Sequence, residues 1–263
     1  MDKYYLDMLQ HLCSAGKINR DMSVLVVCGT QLDADVFAVL GMHNVTVSNL
    51  DERHEGSWDT GAGWDRQNAE SLTCPDAAYD IVAVHAGLHH CRYPHKALCE
   101  MYRVARVGVF VMEPCENFMV RVGRWLGVGQ EFEVHAVAYH KLESGGVNNT
   151  AIPNYVYRWT ECEINQTISA YAPEFRHRIS VRTYLIVHWH DLLVKKNPGR
   201  LLLMLVLFLP LKVMSLFSKR FGNMMGVFIE KAGASDLHPW LELCGHQIRP
   251  SRGWFDRHLH VGR

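Results

Sequence analysis

Two adjacent histidines, His89 and His90, close the run YDIVAVHAGLHH, and Glu113 closes the next apolar run, VGVFVMEP. An imidazole with a pKa of about 6.5 can take a proton from a hydroxyl at neutral pH, and a neighbouring carboxylate can orient it. These three are the candidate catalytic residues, with His89 or His90 as general base and Glu113 as orienting partner or substrate holder. A second pair has the spacing of a ligand-binding turn. Gly29 follows the run VLVVC, and Asp51 comes 22 positions later. That is the distance at which a carboxylate reaches the two hydroxyls of a ribose.

The turn after VLVVC holds a single glycine, and neither G-x-G-x-x-G nor G-x-x-x-x-G-K-[ST] occurs. A pyrophosphate needs close backbone approach at several points, so a nicotinamide or nucleotide phosphate fits poorly. A nucleoside with an amino-acid tail fits better, which favours S-adenosylmethionine. The run HHCRYPH from 89 to 95 resembles a ligand cluster but lacks a second cluster at metal-ligand spacing, so no metal is expected. His135 and His140 contact the acceptor or sit on a surface loop. His188, His190, His258 and His260 read as surface or tail residues. Asn154, Tyr155, Tyr157, Arg158 and Trp159 either stack on and hydrogen-bond a sugar or pack at a helix entry.

The elements that must position these groups alternate. Tyr5, Leu9 and Leu12 mark an amphipathic helix over 3–13, and Val24–Cys28 is a strand buried on both faces. A helix from Leu32 stops at Gly41, and Val45–Leu50 is a second strand ending at Asp51. Tyr79–His85 and Val107–Met112 are further strands, separated by a helix over 94–106 with Pro at its first turn. An irregular stretch from Glu113 to Tyr155 follows. Thr160 and Glu163 then form a capping-box pattern, and Ile179–His188 and Gly222–Lys231 complete the strands. Strand, helix, strand repeats build a parallel sheet whose ligand sits at the carboxyl ends of its strands. The residues there are Cys28 to Gln31, Asp51 and Glu52, His85 to His90, and Glu113 and Pro114.

The chain has 263 residues, 48% apolar and 21% charged, so disorder and fibrous repeats are excluded. Lys plus Arg and Asp plus Glu are both 27, without the cationic surplus of a nucleic-acid binder. The zero is a cancellation: residues 51–80 hold eight acidic and two basic residues, and 192–229 hold six basic and no acidic ones. Eight cysteines without CxxC spacing point to a reducing cytoplasm, and the first residues, MDKYYLDMLQHLC, do not read as an export signal.

The run QNAESLTCPDAAYDIVAVHAGLHHCRYPHKALCEMYRVARVGVFVMEP resembles the class I S-adenosylmethionine-dependent methyltransferases, which often read D-A-E-x-L-P-F-P-D-x-S-F-D, then L-H-H, then E-x-x-R-V. The likeness covers residues 23 to about 115 well and the rest loosely. VLVVCGTQLDADVF, HNVTVSNLDE, IPNYVYRWTE and LHPWLE look like a bacterial group associated with cell-surface glycans or secondary metabolites. The resemblance implies one α/β domain over 1–263, Rossmann-like, with a seven-stranded, mostly parallel sheet, helices on both faces and an antiparallel last strand. It implies S-adenosyl-L-methionine as cofactor, held by Gly29 and Thr30 at the methionine part, Asp51 with Glu52 at the ribose, Asn68 and Ala69 at the adenine, and His85 after its strand. The usual E-x-G-x-G-x-G loop is reduced to CGTQLDAD. Some sugar O-methyltransferases of this pattern use an L-H-H histidine with an acidic partner, so the expected reaction is O-methylation of a sugar hydroxyl in a glycan or glycosylated metabolite. A carboxylate, nitrogen or lipid-like acceptor, or a degenerate cofactor-binding subunit, are the alternatives.

Two segments face the acceptor on this reading. Residues 113–175 form a substrate-side cap. Residues 192–221 form an apolar, basic insertion around RLLLMLVLFLPLKVMSLFSKR, too short and interrupted to span a bilayer. It serves as a lid, a contact between copies in a homodimer, or a peripheral dock through 201–217 at the inner membrane face for a lipid-linked acceptor.

Overall fold

The computed structural model describes residues 2–52, 60–125, 127, 129–186 and 221–259, together with positions 199, 206, 209, 210, 212–214 and 218. Helix α1 spans Lys3–Ser14 and buries Tyr5, Met8, Leu9 and Leu12. Asp2 starts it: its Oδ1 accepts from the amides of Tyr4 (2.8 Å) and Tyr5 (3.2 Å), two of the donors a helix leaves unpaired at its first turn. The His85 imidazole and these amides hold the Asp2 carboxyl down to about 2, below its ordinary 3.8. Asp2→Ala is expected to lower stability by about 1 kcal/mol at neutral pH. A depressed carboxyl contributes stability that is present above its unfolded pKa and fades as pH falls towards 2, so part of this difference disappears in acid. Urea melts at pH 7 and pH 3 measure it, and an equal difference at both would show that charge plays no part.

Strands β1 (Val24–Val26), β2 (Val45–Asn49), β3 (Gly63–Arg66), β4 (Tyr79–His85), β5 (Ala105–Pro114), β6 (Ile179–Tyr184) and β7 (Met224–Glu230) form one sheet in the order β3-β2-β1-β4-β5-β7-β6. The pairs from β3 through β5 are parallel, whereas β7 runs antiparallel to both β5 and β6. Alternate residues face opposite ways along each strand. Val24, Val26, Ile81, Ala83, Phe110 and Met112 therefore pack with Tyr5, Met8 and Leu9 of α1 and with Phe37 of α2 (Gln31–Val39). Leu25, Val82, Val84, Val109 and Val111 pack on the other face with Leu98 and Met101 of α3 (Pro94–Val104) and with Ile164 and Ile168 of α6 (Glu161–Tyr171). Both faces of the sheet are covered, which is why its central strands read as unbroken apolar runs.

Four expectations need correction. Strand β3 carries no apolar run because it lies at the sheet edge with all four residues at least partly exposed. The helix expected to reach Arg106 ends at Val104, and Ala105 and Arg106 begin β5. Pairing with β4 takes over there, since Tyr79 lies opposite Ala105 and Asp80 accepts from Arg106 Nε at 2.9 Å. The irregular stretch after β5 contains α4 (Phe118–Trp125) and α5 (Val134–Tyr139). The tail forms a separate hairpin, β8 (Leu241–Cys244) and β9 (Gln247–Pro250), before a last helix, Arg252–His258.

The Glu100 and Arg103 pair of the E-x-x-R-V pattern has a structural use. Arg103 donates to Leu72 O and Cys74 O and pairs with Glu100 and Asp76, pinning the connection that leads into β4. Of the apolar insertion, most positions lie outside the described residues, as do His188, His190 and His260. Its described apolar side chains, Val206, Leu209, Val213 and Met214, are exposed. No helix among the described residues is long and apolar enough to cross a membrane.

Candidate active site

The carboxyl ends of β1, β2 and β4 meet at tight turns. Cys28 and Ala86 take left-handed backbone (φ 53° and 51°), which costs a non-glycine residue energy and is tolerated where the surroundings enforce it. Gly29 lies between them and β2: its amide donates to Ser48 O (2.8 Å) and its carbonyl accepts from Asn49 Nδ2 (2.9 Å). A Cβ on Gly29 would sit 2.6 Å from Val47 Cγ1 and 3.0 Å from Val26 Cγ1, both on stiff, buried side chains. Gly29→Ala is therefore expected to cost about 1–3 kcal/mol and to weaken cofactor binding, read by thermal melting and calorimetry. An unchanged melting temperature would show that the two valines yield.

Thr30 caps α2, donating from its amide (2.8 Å) and hydroxyl (3.2 Å) to Asp33 Oδ2. The Asp51 carboxylate ends β2 and is mostly buried, while Glu52 turns outward to pair with Arg66 at 2.9 Å. Asn68 Oδ1 accepts from the Glu70 amide (3.0 Å), building a tight turn in which Ala69 is buried. His85 stacks on the Tyr5 ring (4.5 Å between centroids) with Nε2 3.5 Å from Asp2 Oδ2, so its ring packs against α1. Tyr5 Oη and Asp33 Oδ1 are buried polar atoms without hydrogen-bond partners among the described residues.

The turn after β4 is organised by Glu113. This fully buried carboxylate, at the end of the neighbouring strand, accepts from the amides of Gly87 (2.7 Å) and Leu88 (2.6 Å) through Oε1. Its Oε2 is 2.7 Å from His89 Nδ1. Glu113 thus shapes the single helical turn Leu88–His90 and fixes the ring of His89. Burial works against a charged His89, but the Glu113 and Glu133 carboxylates outweigh it and hold its pKa up to about 10. Of the two histidines expected as candidates for the base, His90 is the more exposed.

Glu133, which sequence reading missed, faces both histidines. Its Oε2 lies 3.2 Å from His90 Nε2 and its Oε1 3.5 Å from His89 Nε2. Burial would raise the Glu133 carboxyl, but hydrogen bonds from His89 and His90 keep it well below the usual carboxylate range. A chain of backbone bonds suspends it there. Trp159 N donates to Pro114 O at the end of β5, Val156 N to Glu131 O, and Glu133 N to Asn154 O. The only sequence signal is an acidic residue within the expected cap.

Beside these groups lies an open pocket of about 380 Å³, lined among others by His89, Arg92, Asn154, Tyr155 and Tyr157. The aromatic cluster expected at 154–159 divides in two. Asn154, Tyr155 and Tyr157 face the pocket, whereas Trp159 is core and Arg158 donates to the carbonyls of Val156 and Gln130. Tyr157 also donates to Glu163, which lies 3.2 Å from His95 Nε2. His135 and His140 do not line this pocket.

Residues 25–112 match a family described as a methyltransferase domain. The YcgJ protein from Bacillus subtilis shares the fold at 12% identity over 86% of this chain and 98% of its own, with a TM-score of 0.53. A putative methyltransferase from Bacillus halodurans does so at 15% identity over 86% and 99%, with a TM-score of 0.50. The cyclase SpnF is similar at 13% identity over 86% and 80%, with a TM-score of 0.51. No curated protein has a significantly similar sequence. Taken with the sheet order, the domain match defines a class I S-adenosylmethionine-dependent methyltransferase fold. Residues 25–112 thus carry the match to a methyltransferase domain, and S-adenosylmethionine is the cofactor that this match and the fold imply. Structures this distant share only the fold, so the acceptor has to be argued from the site.

Proposed function

We propose that the protein methylates a hydroxyl of a sugar-like acceptor bound in the pocket lined by Arg92, Asn154, Tyr155 and Tyr157. The observation that carries this reading is His89 in the wall of that pocket, anchored from behind by Glu113, with Glu133 and His90 grouped beside it outside the lining. The residues at the strand ends fit the cofactor: Asp51 suits the ribose hydroxyls, and Ala69 suits the adenine. Gly29 gives close backbone approach, and the unpartnered atoms of Tyr5 and Asp33, with the His85 ring beside them, suit the polar amino-acid end. Thr30 and Asn68 serve by shaping their turns. Glu52, paired with Arg66, contributes charge near the ribose.

The bound cofactor supplies an electrophilic methyl group on a sulfonium. Transfer of that methyl group to the acceptor oxygen would break the carbon–sulfur bond and release S-adenosylhomocysteine, which keeps the electron pair. Much of the rate comes from holding the two reactants in line, the task of the aromatic and amide lining. The hydroxyl proton must also leave, and His90 with Glu133, next to the pocket-lining His89, receives it. Tyr155 and Tyr157 offer ring faces to a sugar, and Asn154 offers an amide. Arg92 at the rim suits an acceptor bearing a phosphate, as a lipid-linked sugar does.

Labelled S-adenosylmethionine incubated with a panel of alkyl glycosides, sugar phosphates, amines and carboxylic acids tests the reading. Alkali-stable label on a glycoside or sugar phosphate is expected. Transfer confined to carboxylic acids would replace it, since an ionised acceptor has no proton to lose at pH 7. Absence of cofactor binding by calorimetry would leave a degenerate subunit.

A further inference from the structure

His89, His90 and Glu133 each offer a ligand atom, and the three atoms lie within 4.8 Å of one another. The two contacts of 3.2 and 3.5 Å to the Glu133 oxygens match the spacing of donors around a small cation. Ligands at roughly 2.0–2.1 Å from a tetrahedral metal ion are about 3.3 Å apart.

The hydrogen-bond network behind His89 strengthens the case. Glu113 can only accept, so His89 Nδ1 carries the hydrogen that joins them, a tautomer assigned from the network. In the neutral ring Nε2 then presents a lone pair towards Glu133 Oε1. A proton on Nε2 joins it to Glu133 when no metal is bound, and a metal ion would take that proton's place. A buried carboxylate gripping the far nitrogen is the outer shell that orients histidine metal ligands.

Asn154 adds an independent observation. It is 1% exposed, its Nδ2 donates to Glu133 Oε2 (3.4 Å), and its Oδ1 is buried without a partner while the residue lines the pocket. Such an oxygen is costly to leave unpaired and suits a cation or a water bound to one.

We propose that His89 Nε2, His90 Nε2 and the Glu133 carboxylate bind a first-row divalent transition cation, Zn²⁺ foremost, with an open position towards the acceptor pocket. Two imidazoles and one carboxylate suit such ions better than Mg²⁺ or Ca²⁺, which prefer all-oxygen sets. Three protein ligands with a fourth position open is the arrangement of a reactive rather than a structural zinc. In the metal-loaded protein His90 Nε2 and Glu133 are ligands rather than proton acceptors, and an acceptor hydroxyl at that position would be acidified and give its proton to water. This use of the ion rests on the O-methylation reading, but its binding does not. The sequence expectation of no metal is thereby revised: the third ligand comes from a loop remote in the chain.

The test is a Co²⁺ titration of chelator-stripped protein, without cofactor or acceptor, followed by visible absorption. One cobalt per chain is expected, with the strong d–d bands of a low-coordinate site, displaced by Zn²⁺. His90→Ala and Glu133→Ala, checked for folding by circular dichroism, are each expected to weaken binding at least 10- to 100-fold, on the order of an outer-shell loss or more. His258→Ala, which removes an exposed histidine of the last helix, is expected to change nothing. Absence of the bands, or an affinity in His90→Ala and Glu133→Ala equal to that of the unaltered protein, would leave an ion pair only and overturn the proposal. Failure of the methylation panel would not alter this result.

Discussion

Replacing Glu113 by alanine is expected to lower the unfolding free energy by about 3–5 kcal/mol, a large share of the 5–15 kcal/mol typical of a folded domain. The magnitude follows from what the carboxylate satisfies. It accepts from two main-chain amides and one imidazole in a place with no solvent exposure. Alanine leaves all three donors unpaired, and each buried unpaired group costs about 1–3 kcal/mol. Any water admitted by the smaller side chain offsets part of that sum. Glu113→Gln keeps one acceptor oxygen for the amides but turns an NH₂ towards His89 Nδ1, so an intermediate loss is expected. Urea denaturation of the two variants measures the order, and a loss below about 1 kcal/mol for alanine would mean that the Leu88–His90 turn holds itself.

His90→Ala is expected to lower kcat about 10²- to 10⁴-fold with the true acceptor, the range for removing a group that handles a proton in the transition state. Stability should move by less than about 0.5 kcal/mol, because the ring is partly exposed and lies outside both core clusters. Cofactor affinity by calorimetry should stay within about twofold, since Gly29, Asp51 and Ala69 lie at other strand ends and His85 packs against Tyr5 and Asp2. This split separates His90 from Glu113, whose loss damages fold and turnover together. Full turnover by His90→Ala would remove the proton-handling role from this wall of the pocket. An acceptor that arrives already ionised would be the first explanation to examine.

The residues differ in how far their placement could be read from the chain. His89, His90 and Glu113 were legible because each ends a buried strand or the turn after it, and strand ends in a parallel sheet face one cleft. Their division of labour was not. Only the 2.7 Å contact shows that Glu113 belongs to His89 and to the backbone, leaving His90 to face Glu133. The 154–159 cluster was legible as aromatic and polar, yet period and composition could not say which rings face a pocket and which enter the core. Edge strand β3 went unread for the reason edge strands usually do, since half-exposed residues carry no apolar run.

By itself the sequence determined the covered parallel sheet, the leading helix, the turn at Gly29 and the strand-end candidates, because local periodicity and burial on two faces leave their mark on consecutive residues. Only the tertiary structure decided that Glu133 joins His89 and His90, that Asn154 buries an unpartnered oxygen beside them, and that His85 turns towards Tyr5 and Asp2. Those relations pass through backbone bonds from β5 to Trp159, from Val156 to Glu131 and from Asn154 to Glu133. A contact made by such a relay has no fixed spacing along the chain, so no motif records it.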